Sequence, residues 1–89
     1  MEMNEKMNHP DSFPAYRKYK GINVWFKVID AQHFIEIKQI GSKFVRHEVE
    51  ALQYPEMMLI QDIVNCADDR WEVIKVDVYM DVEKNLIIN

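Results

Sequence analysis

Residues 24–52, VWFKVIDAQHFIEIKQIGSKFVRHEVEAL, decide the fold class. They contain three runs rich in β-branched and aromatic residues that alternate with polar ones, a pattern typical of half-buried strands. The runs span residues 23–30, 33–40 and 43–52, and the segments between them have the length of tight turns. Gly41-Ser42 is typical of a two-residue hairpin turn, because glycine tolerates the backbone conformation of the first position. We therefore predict an antiparallel ribbon of strands.

The register of the last hairpin depends on which side chains share a face. A two-residue turn at Gly41-Ser42 would set Ile37 opposite Arg46 and mix apolar with charged residues on one face. We therefore predict a register shifted by one residue, with a three-residue loop or a β-bulge near Gly41, which sets Glu36 across from Arg46. The predicted core face comprises Ile35, Ile37, Val45, Val49 and Ala51. The predicted open face comprises Glu36, Lys38, Arg46, Glu48 and Glu50.

After the ribbon, the spacing of apolar residues becomes helical. Residues 55–65 are predicted to form a helix, because proline is tolerated in the first turn and apolar side chains recur at three- and four-residue intervals. A short strand is predicted for residues 71–75, followed by a second helix at residues 78–87. The apolar face of this second helix comprises Tyr79, Val82 and Leu86.

Together these elements predict an α+β fold. We expect an antiparallel β-meander of three to five strands, including a short first strand at residues 15–20, with one or two helices packed on one face. The alternative is a small curved β-barrel with one helix. It applies if the clean alternation of residues 74–82 marks one long strand instead of a helix.

Length and composition are those of one small globular domain. The chain has 89 residues, of which 48% are hydrophobic and 29% charged. Residues 1–12 are polar and lack periodicity, so we predict a flexible N-terminal tail followed by a single α+β domain at residues 13–89. A domain of this size buries only ~60% of its unfolded surface, which makes a homodimer a further expectation.

Charge and targeting signals restrict the compartment and the partners. The net charge of −4 argues against nucleic acid as a general partner, because that binding relies on Lys and Arg. The single cysteine, Cys66, cannot form an intrachain disulfide. The N-terminal residues lack the apolar core of a signal peptide, and no apolar run approaches the ~20 residues of a membrane-spanning helix. The sequence therefore predicts a soluble cytoplasmic protein without a membrane partner.

Aromatic and basic residues near the start of the domain are the candidates for an interaction surface, because such side chains dominate binding hot spots. They are Tyr16, Arg17, Tyr19 and Trp25. For the segment Tyr16–Lys20 the alternative is an edge strand guarded by lysine. For Trp25 and Trp71 the alternative is a place in the core, with helices covering both faces of the sheet.

Two histidines, His33 and His47, are the candidates for a pocket. His47 lies on the predicted core face, where burial would shift the pKa of an imidazole and suit it to act as a general base. The alternative is a hydrogen-bonded histidine at the margin of a small core. We predict no catalytic, cofactor-binding or metal-binding residues, because no motif for that chemistry is present in the sequence.

The function predicted from the sequence is a small noncatalytic interaction or accessory module, with a protein as partner and a homodimer as one form. One alternative is a ligand-binding or enzymatic domain that uses His47 with Glu48 or His33. The other is single-stranded nucleic-acid binding through Tyr16–Lys20, in which bases would stack on the tyrosines.

Overall fold

The computed structural model describes residues 13–88, and the predicted tail at residues 1–12 lies outside this range. Within it the chain forms five strands, one short 3-10 turn and two α-helices. The strands are β1 (Ala15–Tyr19), β2 (Val24–Asp30), β3 (His33–Ile40), β4 (Lys43–Glu50) and β5 (Trp71–Val73). The helices are α1 (Tyr54–Val64) and α2 (Val76–Ile88).

The strands form one antiparallel sheet in the order β4-β3-β2-β1-β5. The first four strands make a meander, and β5 returns to pair with β1 at the far edge. The sheet is open, with β4 and β5 as its edges among the described residues. The predicted α+β meander is therefore confirmed. The barrel alternative is wrong, because residues 76–88 form a helix and the sheet does not close.

The predicted register of the β3–β4 hairpin is wrong. A two-residue turn joins the strands, so that Ile40 pairs with Lys43 and Ile37 lies opposite Arg46. Gly41 has a φ of 63°, which its missing side chain permits. The predicted shift assumed that one face of the ribbon is buried along its whole length. Instead, β4 is an edge strand, so Arg46 reaches water beside the buried Ile37.

The two helices lie against opposite faces of the sheet, so the predicted packing of the helices on one face is wrong. We call these faces the α1 face and the α2 face. The α1 core comprises Ala15, Val24, Phe26, Val28, Phe34, Ala51, Ile60, Ile63, Val64 and Trp71. The α2 core comprises Trp25, Ile35, Ile37, Tyr79 and Val82, with Tyr16, Phe44, Ile74 and Leu86 packed around it. Both tryptophans therefore lie in a core rather than at the surface.

Because both faces are covered, the predicted core and open faces of the ribbon are each divided between the two sides. Ile35 and Ile37 belong to the α2 core, whereas Val49 and Ala51 pack in the α1 core. Val45 is 48% exposed. On the predicted open face, Glu36 and Lys38 pair with odd-numbered residues of β4 and lie on the α1 face. Arg46, Glu48 and Glu50 lie on the α2 face.

Both helices begin and end within two residues of their predicted bounds. Helix α1 is preceded by two backbone amides that would have no helical partner, those of Leu52 and Gln53. Both donate to Oε1 of Glu56, at 3.1 and 3.3 Å, in a capping arrangement that fixes the start of the helix. Helix α2 buries Tyr79 and Val82, as its predicted apolar face requires.

Candidate functional site

The four residues predicted as an interaction surface are divided between the two cores. Tyr16 and Trp25 lie on the α2 face, where the Tyr16 ring packs 5.3 Å from that of Tyr79 and Trp25 is 8% exposed. Tyr19 lies on the α1 face and stacks on Trp71, with ring centroids 5.1 Å apart. The structure therefore does not bring these side chains together in one exposed patch.

Arg17, the fourth of these residues, joins strand β1 to helix α1. Its side chain is buried, and its Nε and Nη2 both donate to the carbonyl oxygen of Val64, at 3.3 and 2.9 Å. Nη1 donates to the carbonyl oxygen of Tyr16 at 2.8 Å. Val64 is the last residue of α1, where carbonyls lack helical donors and favour a positive charge. Arg17 therefore stabilises the end of the helix from within the fold.

The two histidines lie on opposite faces of the sheet and do not form a common pocket. His47 is exposed on the α1 face, opposite Glu36, so its predicted place in the core is wrong. The hairpin register is the reason, because it sets His47 on the part of β4 that α1 leaves uncovered. His33 lies on the α2 face, at the rim of a shallow groove of about 450 Å³.

His33 is held between two carboxylates. Its Nδ1 lies 2.8 Å from Oδ1 of Asp30, and its Nε2 lies 3.5 Å from Oε2 of Glu50. The hydrogen bond with Asp30, and then the negative charges of Asp30 and Glu50, raise the pKa of His33. The amide of Gln32 and the ring of His33 lower the pKa of Asp30. With a carboxylate at each nitrogen, the ring is stabilised as a cation, which suits a structural link better than a general base.

Strand β4 is the longer of the two edge strands of the sheet among the described residues. It is eight residues long, carries no proline or glycine, and pairs with β3 without a register shift. Six of its eight side chains are exposed. By contrast β5, at the other edge, has only three residues. Short edge strands are protected against added strands, and long regular ones are not.

The backbone groups that β4 leaves open follow from the hairpin. Ile40 and Lys43 flank a two-residue turn and so form a hydrogen-bonded pair, after which bonding to β3 alternates along the strand. The bond from the Ala51 amide to the carbonyl of Gln32, at 2.6 Å, continues this alternation. Odd-numbered residues therefore bond to β3. The outward residues, whose N–H and C=O point away from β3, are Phe44, Arg46, Glu48 and Glu50.

The outward residues carry an ordered set of charges. Their side chains share the α2 face, where Phe44 is partly buried in the α2 core. Arg46 and Glu48 follow it and form an ion pair with each other along the strand, and Glu50 comes last. Along the edge, the outward side chains therefore change from apolar (Phe44) to positive (Arg46) and then to negative (Glu48 and Glu50). Sequence reasoning missed this site because it treated KFVRHEVE as a half-buried strand, although its dense charge indicates an edge.

The other classes of site have little support in the described part of the chain. Among residues 13–88 no group of three or more His, Cys, Asp and Glu side chains is placed to hold a metal ion. Neither of the two helices is long and apolar enough to cross a membrane. Comparison of the chain with protein-family models, with curated proteins and with solved structures yields no significant match.

Proposed function

We propose that this protein is a noncatalytic interaction module that binds another polypeptide by adding a strand at β4. The observation that carries the proposal is the eight-residue regular edge with four outward residues. Each outward residue offers one donor and one acceptor to an incoming strand, as in other cases of strand addition. A cytoplasmic location, favoured by the single cysteine, is part of this proposal.

The alternative functions have less support. Nucleic-acid binding through Tyr16–Lys20 would need open tyrosine rings, but Tyr16 packs on Tyr79 and Tyr19 stacks on Trp71. An enzymatic role for His47 would need a partner that positions the ring. Its neighbours on the same face include Glu36 and Val45, in an open depression of about 300 Å³ rather than an enclosed pocket.

A peptide with the sequence of residues 43–50, blocked at both ends, is a suitable probe of the edge. When it is added to the isotope-labelled protein, amide exchange at the outward residues should slow. Exchange at Val45, His47 and Val49 should change little, since these amides already bond to β3. The matched control is the same peptide with N-methyl groups at alternate residues, which removes the donors on one edge. Equal binding by both peptides, or no protection at the outward residues, would contradict the proposal.

A further inference from the structure

We propose that the strand added at β4 is β4 of a second copy of this chain, in an antiparallel register that sets Arg46 opposite Glu48 of the other copy. This inference rests on the proposed function and names the partner of the same edge. It follows from the symmetry of strand pairing and from the order of charges along the strand.

Symmetry restricts the registers that are available. Two copies of one strand pair side by side and antiparallel about a twofold axis perpendicular to the sheet, which keeps each face on its own side. A residue on the α2 face must then lie opposite a residue on the α2 face, so even-numbered residues pair with even and odd with odd. Because even-numbered residues point their backbone groups outward, their pairs are the hydrogen-bonded ones. The axis must therefore pass through a residue rather than between two.

Among these registers, the one centred on His47 matches the charges best. It sets Arg46 opposite Glu48 twice, once on each side of the axis, on the α2 face. It also sets Val45 opposite Val49 twice on the α1 face, where Val45 is exposed. Opposite charges and β-branched pairs directly across an antiparallel ladder are stabilising. Seven residues of each strand, 44–50, take part, and the outermost pairs set Phe44 opposite Glu50.

The neighbouring registers are less favourable. Centring on Arg46 sets Arg46 against itself, and centring on Glu48 sets Glu48 against itself. Like charges directly opposite each other are destabilising. Centring on Val45 avoids like pairs, but it sets Arg46 opposite Phe44 and gives no attractive charge pair.

Charged residues on an edge strand usually prevent another strand from pairing with it. On β4, the order of the charges decides whether an added strand meets like or opposite charges. Protection relies on charges, often lysines, that an added strand would bury without partners. On β4, Arg46 and Glu48 already form an ion pair within the strand, and a second copy in this register adds an opposite charge directly across from each of them. The edge is therefore selective for its own sequence.

Charge exchange in the full chain tests the register. By sedimentation over a concentration series up to about 1 mM, the wild-type protein should associate reversibly as a dimer. Arg46→Glu places Glu opposite Glu48 twice, and Glu48→Arg places Arg opposite Arg46 twice. Each single variant should raise the dissociation constant roughly tenfold or more. The double variant R46E/E48R restores both pairs and should recover most of the affinity.

Mixing the two single variants gives the sharpest result. A chain with R46E carries two negative residues and a chain with E48R carries two positive ones, so each should dimerise poorly alone and well with the other. Lys27→Glu, a charge reversal of a half-buried residue in the middle of the sheet, is the control and should leave association unchanged. Failure of the mixture to associate better than either variant alone would overturn the inference.

Cysteine substitution measures the position of the axis directly. Residues at the axis face each other as a non-hydrogen-bonded pair about 4.5 Å apart at Cα, within the range of a disulfide. His47→Cys should therefore form a disulfide-linked dimer in oxidised glutathione. Val45→Cys, on the same face, would lie about 13 Å from its own copy and should not. Wild-type protein, with only Cys66, controls for that residue.

These results separate the inference from the proposed function. A protein that stays monomeric at all concentrations but binds the strand peptide at the outward residues would refute the second copy and leave strand addition intact. A dimer that forms while the outward amides still exchange freely would refute the inference, and failure of the strand peptide to protect these amides would refute both. Protection of these amides that does not change with concentration in a monomer would show that another part of the same chain covers β4, and would also overturn the inference.

Discussion

Replacing Arg17 by methionine should destabilise the fold, because this side chain connects two elements that are far apart in sequence. Methionine keeps most of the length and the apolar contacts of the arginine stem. It removes the three N–H donors that reach the carbonyls of Val64 and Tyr16. The substitution therefore tests the hydrogen bonds to the end of α1 rather than the packing.

The expected loss of stability depends on which hydrogen bonds the carbonyls of Tyr16 and Val64 keep after the substitution. The carbonyl of Tyr16 still accepts a bond from the amide of Ile74, at 3.3 Å. The carbonyl of Val64 loses the two donors on Arg17, which share one acceptor and count as one charge-assisted bond of ~1.5–3 kcal/mol. Removing a buried charge returns part of this free energy. We expect a net loss of about 2 kcal/mol in the free energy of unfolding.

Urea unfolding followed by tryptophan fluorescence is a direct assay, since Trp25 and Trp71 belong to different cores. For a domain of this size, the loss corresponds to a melting temperature lower by about 8–16 °C. The matched control is Arg70→Met, which removes a half-exposed arginine whose guanidinium lies 4.7 Å above the ring of Trp71. This substitution should lower the free energy of unfolding by less than about 1 kcal/mol. A stability of Arg17→Met within about 0.5 kcal/mol of wild type would refute the reasoning.

Three further predictions concern other parts of the fold. The Tyr79 hydroxyl is buried without a hydrogen-bond partner among the described residues, and burial raises its pKa. Tyr79→Phe should therefore stabilise the protein by about 1 kcal/mol in urea unfolding, and a loss of stability would contradict this. Asp30→Asn should lower the pKa of His33 in an NMR titration. In the wild type, the contribution of His33 should be fully present below its ordinary value of 6.5 and lost as pH rises through the raised pKa, and an unchanged titration would show that Asp30 is not the cause. Gly41→Ala should destabilise the hairpin by about 1 kcal/mol because of the positive φ at this turn, whereas Ser42→Ala should have little effect on the melting temperature.

The strands and helices could be predicted from the sequence because the apolar residues of each recur at a characteristic spacing. Alternation in residues 24–40 and helical spacing in residues 55–65 are local signals, and the structure confirms both. The register of β4 could not be predicted in this way, because it depends on where α2 lies. If one face of the sheet is assumed to be open to water, a register that places Ile37 opposite Arg46 is unfavourable. With helices on both faces and β4 at the edge, the same pair is acceptable.

The candidate site was missed for a related reason. Tyr16, Arg17, Tyr19 and Trp25 have the composition of a binding surface, but these residue types also fill small cores, and the order of strands decides between the two. Strand β1 lies between β2 and β5 rather than at an edge, with a helix on each side, so its aromatic side chains are partly buried. Exposure could be inferred only after the position of each strand in the sheet was known.

The position of the proposed site follows from how the domain uses its surfaces. Two helices cover the two faces of the sheet, so the large apolar side chains of its inner strands are packed within the chain. The perimeter of the sheet then offers the main unused hydrogen-bonding capacity, and β5 is too short to present much of it. Strand β4 presents eight regular residues, and the order of its charges supports the proposed pairing with a second copy. A partner that pairs there would extend the sheet without disturbing either core, because the outward backbone groups take no part in the fold of residues 13–88.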